Sequence, residues 1–141
     1  DKKQEVFDED LVAIMHDEIH PVPETYRLEY LHFYSGSSAI PTAAVRVRIK
    51  GEARECAAVG DGPVDAAMEV LRKCVSDVAD IRLEEYHVDA ISGGTDALVE
   101  VTVRLSKDGK IITSRGARTD IIMASVEAMI AGMNRLLRDR T

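Results

Sequence analysis

Hydrophobic and polar residues alternate most clearly in two stretches of the chain, residues 42–50 and 99–105. In both, every second residue is Ala, Val, Ile or Leu, and most of the residues between them are polar or charged. A period of two is typical of a strand that buries one face. Aromatic or β-branched residues and turn residues at the ends predict further strands at 26–34, 53–59, 81–91 and 111–115.

Two other segments repeat their apolar residues every three to four positions. They predict helices from Pro63 to about Val75 and from Asp120 to about Arg138. The core-facing positions of the first helix are Val64, Ala67, Met68 and Leu71. Those of the second are Ile122, Val126, Met129, Ile130, Met133 and Leu137.

The order strand, strand, strand, helix therefore occurs twice. We predict an α+β domain over residues 25–141, made of two pseudo-symmetric β-β-β-α units (25–77 and 81–140) that pack together. One helix covers a three-stranded sheet only in part, so we also expect dimerisation.

A charged arm, residues 1–24, precedes this repeat. Apolar residues at helical spacing between Phe7 and Ile19 predict one short helix in it. The segment His20-Pro21-Val22-Pro23-Glu24 ends that helix, because each proline forces its predecessor towards extended geometry.

Glycine turns lead into both predicted helices, at Gly60-Asp61-Gly62 and at Gly116. Pro63 suits the first position of a helix, Asp61 is a possible cap, and the first turn is expected to need positive φ. N–H groups at such a terminus can bind a carboxylate. A nucleotide site is disfavoured because the Gly-Lys-Ser/Thr ending of a phosphate loop is absent.

Composition excludes several classes of protein. The net charge of −7 and the absence of Trp argue against a nucleic-acid partner. No apolar run is long enough to span a bilayer, so we expect no membrane partner and a cytoplasmic location. Cys56 and Cys74 lack metal-ligand spacing, and Cys74 falls within a predicted helix, so two reduced thiols are expected rather than a disulfide.

No catalytic or metal-binding arrangement is evident. The four histidines (His16, His20, His32, His87) fall on separate elements, except that His16 and His20 are four residues apart in the arm, a weak metal candidate. An enzyme using His87 or Asp89 as a base stays open as an alternative.

A ligand pocket is one hypothesis among several. Near residues 92–96, Thr95 and Asp96 lie close to Ala90, Ala97 and Tyr86 in the sequence. This mixture suits a small apolar ligand that carries an ammonium group.

Several motifs resemble the C-terminal regulatory domain of 2-isopropylmalate synthase, which the (R)-citramalate synthases share. They are Gly60-Asp-Gly-Pro-Val-Asp-Ala, Glu85-Tyr-His-Val-Asp-Ala90, Ser92-Gly-Gly-Thr-Asp-Ala97 and Arg115-Gly116 through Thr119-Asp-Ile-Ile-Met-Ala-Ser125. The resemblance extends from about Tyr26 to Leu137, and the arm at residues 5–19 resembles the linker to the catalytic barrel.

This resemblance implies a parent enzyme that condenses acetyl-CoA with a 2-oxo acid in a metal-dependent (β/α)₈ barrel. The barrel is not in this sequence, so the chain alone is expected to have no activity and no cofactor. The resemblance also implies a homodimer, contact with the barrel, and feedback inhibition by the end-product amino acid.

Matching positions give the expected effector site. Its ligand-binding residues are Val64, Asp65, Leu83, Tyr86, Ala90, Asp96, Ala97, Val99, Thr119 and Ile121, with helix-start turns at Gly60, Gly62 and Gly116. Helix termini at residues 62–64 and 119–121 would take the ligand carboxylate, and Asp96 or main-chain carbonyls the ammonium group. The small Ala90 favours leucine, the effector of 2-isopropylmalate synthase. Isoleucine, the effector of citramalate synthase, and a dimerisation module without ligand are the alternatives.

Overall fold

The computed structural model describes residues 25–91 and 97–137. The first unit comprises β1 (Tyr26–Gly36), β2 (Ala39–Ile49), β3 (Glu52–Val59) and α1 (Pro63–Lys73). The second comprises β4 (Arg82–Ala90), β5 (Val99–Lys107), β6 (Lys110–Arg118) and α2 (Ile121–Leu137). The α+β class and the two β-β-β-α units are confirmed. The predicted arm helix and residues 92–96 lie outside the described residues.

Each unit holds one antiparallel sheet, in the order β1-β2-β3 or β4-β5-β6. The turns at Lys50-Gly51 and Asp108-Gly109 have positive φ at both residues (51° and 85°, 51° and 82°). Two such residues match a type I′ turn, whose twist suits a two-residue hairpin. Aligning the two turns pairs Cys56 with Ser114 and Pro63 with Ile121, so the helices begin at equivalent positions.

Both units also share a register shift in their first strand, which the alternation pattern did not predict. The register of β1 on β2 shifts between Leu28 and Tyr30, and that of β4 on β5 shifts between Leu83 and Glu85. Glu29 and Glu84 are thus the extra residues of two equivalent β-bulges. Glu29 accepts hydrogen bonds from Arg48 (2.8 Å) and Arg46 (2.9 Å) on the neighbouring strand, and these bonds, that of Arg48 foremost, lower the pKa of its carboxyl.

The helices cover the inner faces of the sheets. The inward-facing Val45 and Val47 of β2 and Val101 and Val103 of β5 are almost fully buried. α1 packs on β1, β2, β3 and α2, whereas α2 packs on β5, β6, β1 and α1. Because α2 contacts both units, it is buried on more than one side.

A buried amide joins the two units. Asn134 of α2, which is 5% exposed, accepts a hydrogen bond from Tyr26 N (2.7 Å) and donates one to Tyr26 O (2.9 Å). The Tyr26 hydroxyl donates to Leu71 O at 3.1 Å, and burial raises the pKa of that phenol, an effect that Arg54 offsets only in part. The first residue of β1 is therefore held by both helices.

The expectations for the glycine turns need correction. Gly62 is the N-cap of α1 with φ −159°, and the glycines with positive φ among the described residues are Gly51 and Gly109. Gly60 is constrained by space instead, because a Cβ there would lie 2.5 Å from the main-chain nitrogen of Ala66 in α1. Gly116 lies within β6 rather than in a turn, and a Cβ there would lie 2.7 Å from Ala128 N of α2.

The expected pair of free thiols is also wrong. Cys56 and Cys74 form a disulfide, with their Cα atoms 5.9 Å apart. Cys74 is not within the helix, since α1 ends at Lys73. The chain reversal after residue 59 brings the end of α1 back to β3, a proximity that sequence spacing does not reveal.

Candidate functional site

Four predicted ligand-binding residues belong to one end of the second unit. Ala90 pairs with Val99 across β4 and β5, and Val99 pairs with Arg118, the last residue of β6. Thr119 and Ile121 follow at the start of α2, and both are exposed. The strand ends and the start of α2 therefore lie at the same end of the second unit.

Tyr86 connects this strand end to the helix. Its hydroxyl is 2.8 Å from the Ser125 hydroxyl, which itself donates to Ile121 O at 2.8 Å. Because the single Ser125 proton is used on Ile121 O, Tyr86 is the donor in the first bond. The tyrosine ring is half-buried beside the first turn of α2.

Ser125 is not among the site residues predicted from the sequence. A serine inside a helix commonly bonds the carbonyl four residues earlier, which was the available signal. Its second contact, with Tyr86, depends on how the helix lies on β4.

Leu83 shares a face with Tyr86 because of the bulge. Residues three apart on a regular strand point to opposite faces. The extra residue of the bulge after Leu83 returns Tyr86 to the same face as Leu83. Leu83 pairs with Leu105 and Tyr86 with Val103, both on the inner face. Both side chains are half-buried against the core.

The remaining predicted residues lie in the first unit, next to residues 92–96, or within that segment, which is outside the described residues. Val64 and Asp65 are in the first turn of α1, in the first unit. Ala97 is exposed, whereas Asp96 lies outside the described residues.

The two helix starts differ in how they would bind a ligand carboxylate. At α2, the Asp120 side chain accepts a hydrogen bond from Ile122 N (2.9 Å), so a carboxylate already occupies this terminus. α1 has no side-chain cap: Gly62 is its N-cap, Pro63 lacks an N–H, and the next N–H groups are those of Val64 and Asp65. The predicted cap Asp61 instead donates its backbone N–H to the Asp65 carboxylate at 2.8 Å.

A groove between the units forms a cavity. It has a volume of about 410 Å³ and lies between the start of β1 and one side of α2. Its lining residues are Arg27, Leu28, Arg118, Met123, Val126, Glu127, Ile130, Ala131 and Asn134. Its polar groups are engaged: both polar atoms of Asn134 bind Tyr26, and Glu127 accepts hydrogen bonds from Ala117 N and Arg118. None of the predicted site residues lines this groove.

Candidate catalytic groups lie on an outer sheet face. His87 and Asp89 of β4 are exposed, and His87 Nε2 is 3.6 Å from Glu85 Oε1. Within residues 25–91 and 97–137, no three His, Cys, Asp or Glu side chains are grouped to hold a metal ion. No helix in the same residues is long and apolar enough to cross a membrane.

The geometry defines a class of protein: a duplicated β-β-β-α domain with polar helix starts beside apolar strand ends. Residues 5–137 match the family model described as the LeuA allosteric (dimerisation) domain. The chain belongs to this family.

Curated relatives fall into two groups. The chain is 58% identical over 141 residues to a putative (R)-citramalate synthase of Methanoculleus marisnigri, and 53% identical over 137 residues to one of Archaeoglobus fulgidus. It is 49% identical over 140 residues to a 2-isopropylmalate synthase of Carboxydothermus hydrogenoformans. These alignments cover 99%, 96% and 99% of the chain but only 28%, 28% and 27% of the relatives.

Proposed function

We propose that this chain binds a branched-chain amino acid and regulates a larger acyl-CoA-condensing synthase. Membership of an allosteric domain family supports the regulatory role. The observation that best supports this site is the chain of hydrogen bonds from Tyr86 to Ser125 to Ile121, because it connects β4 to the first turn of α2. A ligand packed on Tyr86 would act directly on the position of that helix.

The ligand's parts match the groups available. Its aliphatic side chain packs against the Tyr86 ring and Val99. Leu83 pairs with Leu105, about 20 Å further along β5 than Val99, so it lies beyond the reach of the same side chain. We assign its carboxylate to backbone N–H groups at the start of α1, as the resemblance implies; this start has no side-chain cap, and the Asp65 carboxylate lies in its first turn. We assign the ammonium group to Asp96 or main-chain carbonyls, as the resemblance implies.

Isoleucine is the first candidate for the effector, and leucine the second. The names of the relatives at 58% and 53% identity favour a citramalate synthase as the parent enzyme, and so isoleucine. Ala90 favours leucine, because it leaves room for two δ-methyl groups. An apolar pocket separates such isomers by only about 1–3 kcal/mol, so both amino acids are expected to bind, with different affinities.

Calorimetric titration of the 141-residue chain with isoleucine and then leucine tests this proposal. We expect Ala90→Phe to abolish binding, because the added ring fills the space beside Val99. The matched control is Ser35→Phe, at the corresponding exposed position of β1, which should leave the affinity unchanged.

An absence of heat with both amino acids would contradict the proposal. If the chain still sedimented as a dimer, the dimerisation module would be the better description. Turnover by the isolated chain would instead support the enzyme alternative based on His87 or Asp89.

The coupling to the parent enzyme is part of the same proposal. A ligand that favours one arrangement of the dimer would act on the barrel through the arm at residues 5–19. Effects of about 1–3 kcal/mol are typical of such control. The acetyl-CoA site and the divalent metal belong to the barrel. In the complete enzyme, Ala90→Phe should leave basal activity intact and remove inhibition by the effector.

A further inference from the structure

The Cys56–Cys74 bond connects the middle of β3 to the residue directly after α1. Cys56 is half-buried and Cys74 is 2% exposed. The bond therefore fixes one end of α1 on its sheet. The other end of α1 carries Val64 and Asp65 of the predicted effector site.

The second unit shows that the fold does not require this bond. Aligned on the hairpin turns, Cys56 corresponds to Ser114 and Cys74 to Gly132. A Cβ on Gly132 would lie 3.2 Å from the Ser114 Cβ, so helix and strand touch at the same place. There the contact is made by small side chains without a covalent link.

Two cationic side chains tie the same elements of the first unit together. Lys73 Nζ donates to Ala57 O of β3 at 2.8 Å, and Arg54 of β3 donates to Cys74 O at 3.0 Å. Arg54 also pairs with Asp77 at 2.6 Å. These bonds are independent of the sulfur atoms, so reduction would loosen the end of α1 without detaching it.

We propose that Cys56 and Cys74 are a reversible redox clamp that sets how firmly α1 is held and, through its first turn, the affinity of the effector site. The effect on effector affinity rests on the proposed function. A thiolate of a dithiol reductant attacks the more accessible Cys56 sulfur, the bond between the cysteines breaks, and Cys74 leaves as a thiolate. The reductant's second thiolate then displaces Cys56, leaving an oxidised reductant and, after protonation, two cysteine thiols.

The test compares the 141-residue chain in oxidised and reduced dithiothreitol. Alkylation and intact mass count the free thiols, with none expected in the oxidised state and two in the reduced state. Hydrogen exchange of amides 70–76 should be about tenfold faster or more after reduction. The dissociation constant for isoleucine or leucine should rise about fivefold, at the low end of allosteric coupling.

The Cys56→Ser variant is the matched control. It cannot form the bond, so its exchange should resemble that of the reduced chain in both buffers. Two alkylated thiols in the oxidised chain, or equal exchange in the two states, would overturn the clamp. Faster exchange with equal effector affinity would overturn its coupling to the site. Absence of effector binding in both states would count against the proposed function, while mass and exchange would still decide the clamp.

Discussion

Replacing Asn134 by leucine tests whether the buried amide holds the two units together. The substitution removes two hydrogen bonds, to Tyr26 N and to Tyr26 O. Tyr26 is fully buried, so both main-chain groups would lose their partner without gaining water. Each unpaired buried group costs about 1–3 kcal/mol, or about 2–6 kcal/mol for the two. Burial of the leucine side chain offsets part of this cost. We therefore expect the free energy of unfolding to fall by about 2–4 kcal/mol.

Urea unfolding followed by circular dichroism measures this loss as a lower midpoint. Ser76→Ala is the matched control, because Ser76 occupies the corresponding position after α1. Its hydroxyl is exposed and bonds Lys73 O, so its loss should cost less than about 0.5 kcal/mol. If Asn134→Leu unfolded at the same urea concentration as Ser76→Ala, Asn134 would not hold the units together.

Two further predictions concern packing and pH. Gly116→Ala should lower the free energy of unfolding by about 1–3 kcal/mol in thermal melts, because its Cβ would meet backbone atoms of α2. Gly36→Ala is the control: a Cβ there has no atom within 4 Å, so the substitution should be neutral or slightly stabilising. Burial raises the pKa of Tyr26, so the folded state keeps a proton that the unfolded state loses near pH 10. Stability should therefore fall as the pH rises above about 10. Tyr26→Phe should flatten that fall in urea titrations, and an unchanged slope would assign the alkaline loss to other groups.

Local chemistry in the sequence was enough to predict the elements and their order. The alternation in β2 and β5 reports which face is buried, because successive strand residues point to opposite sides. Asp108-Gly109 predicts a tight hairpin, because glycine adopts positive φ at little cost. The bounds of α1 and α2 were predicted to within one or two residues, because the spacing of apolar residues along a helix is a local property of the sequence.

Contacts between distant segments were not predictable in this way. The roles of Gly60 and Gly116 were assigned to turn geometry, yet both depend on how closely a helix approaches, which follows from packing. The bulges at Glu29 and Glu84 interrupt the alternation by one residue, and only the register with the neighbouring strand reveals them. Of the predicted site residues, the sequence supplied Tyr86, but its partner Ser125 lies on another element.

The sequence by itself therefore determined the strands, the helices, their duplication and the family, since each depends on residue order and spacing. The tertiary structure decided which residues meet: Asn134 with Tyr26, Ser125 with Tyr86, and Cys56 with Cys74. Such pairs form between segments whose distance depends on the packing of the whole chain, and no local pattern of hydrophobic and polar residues encodes that distance.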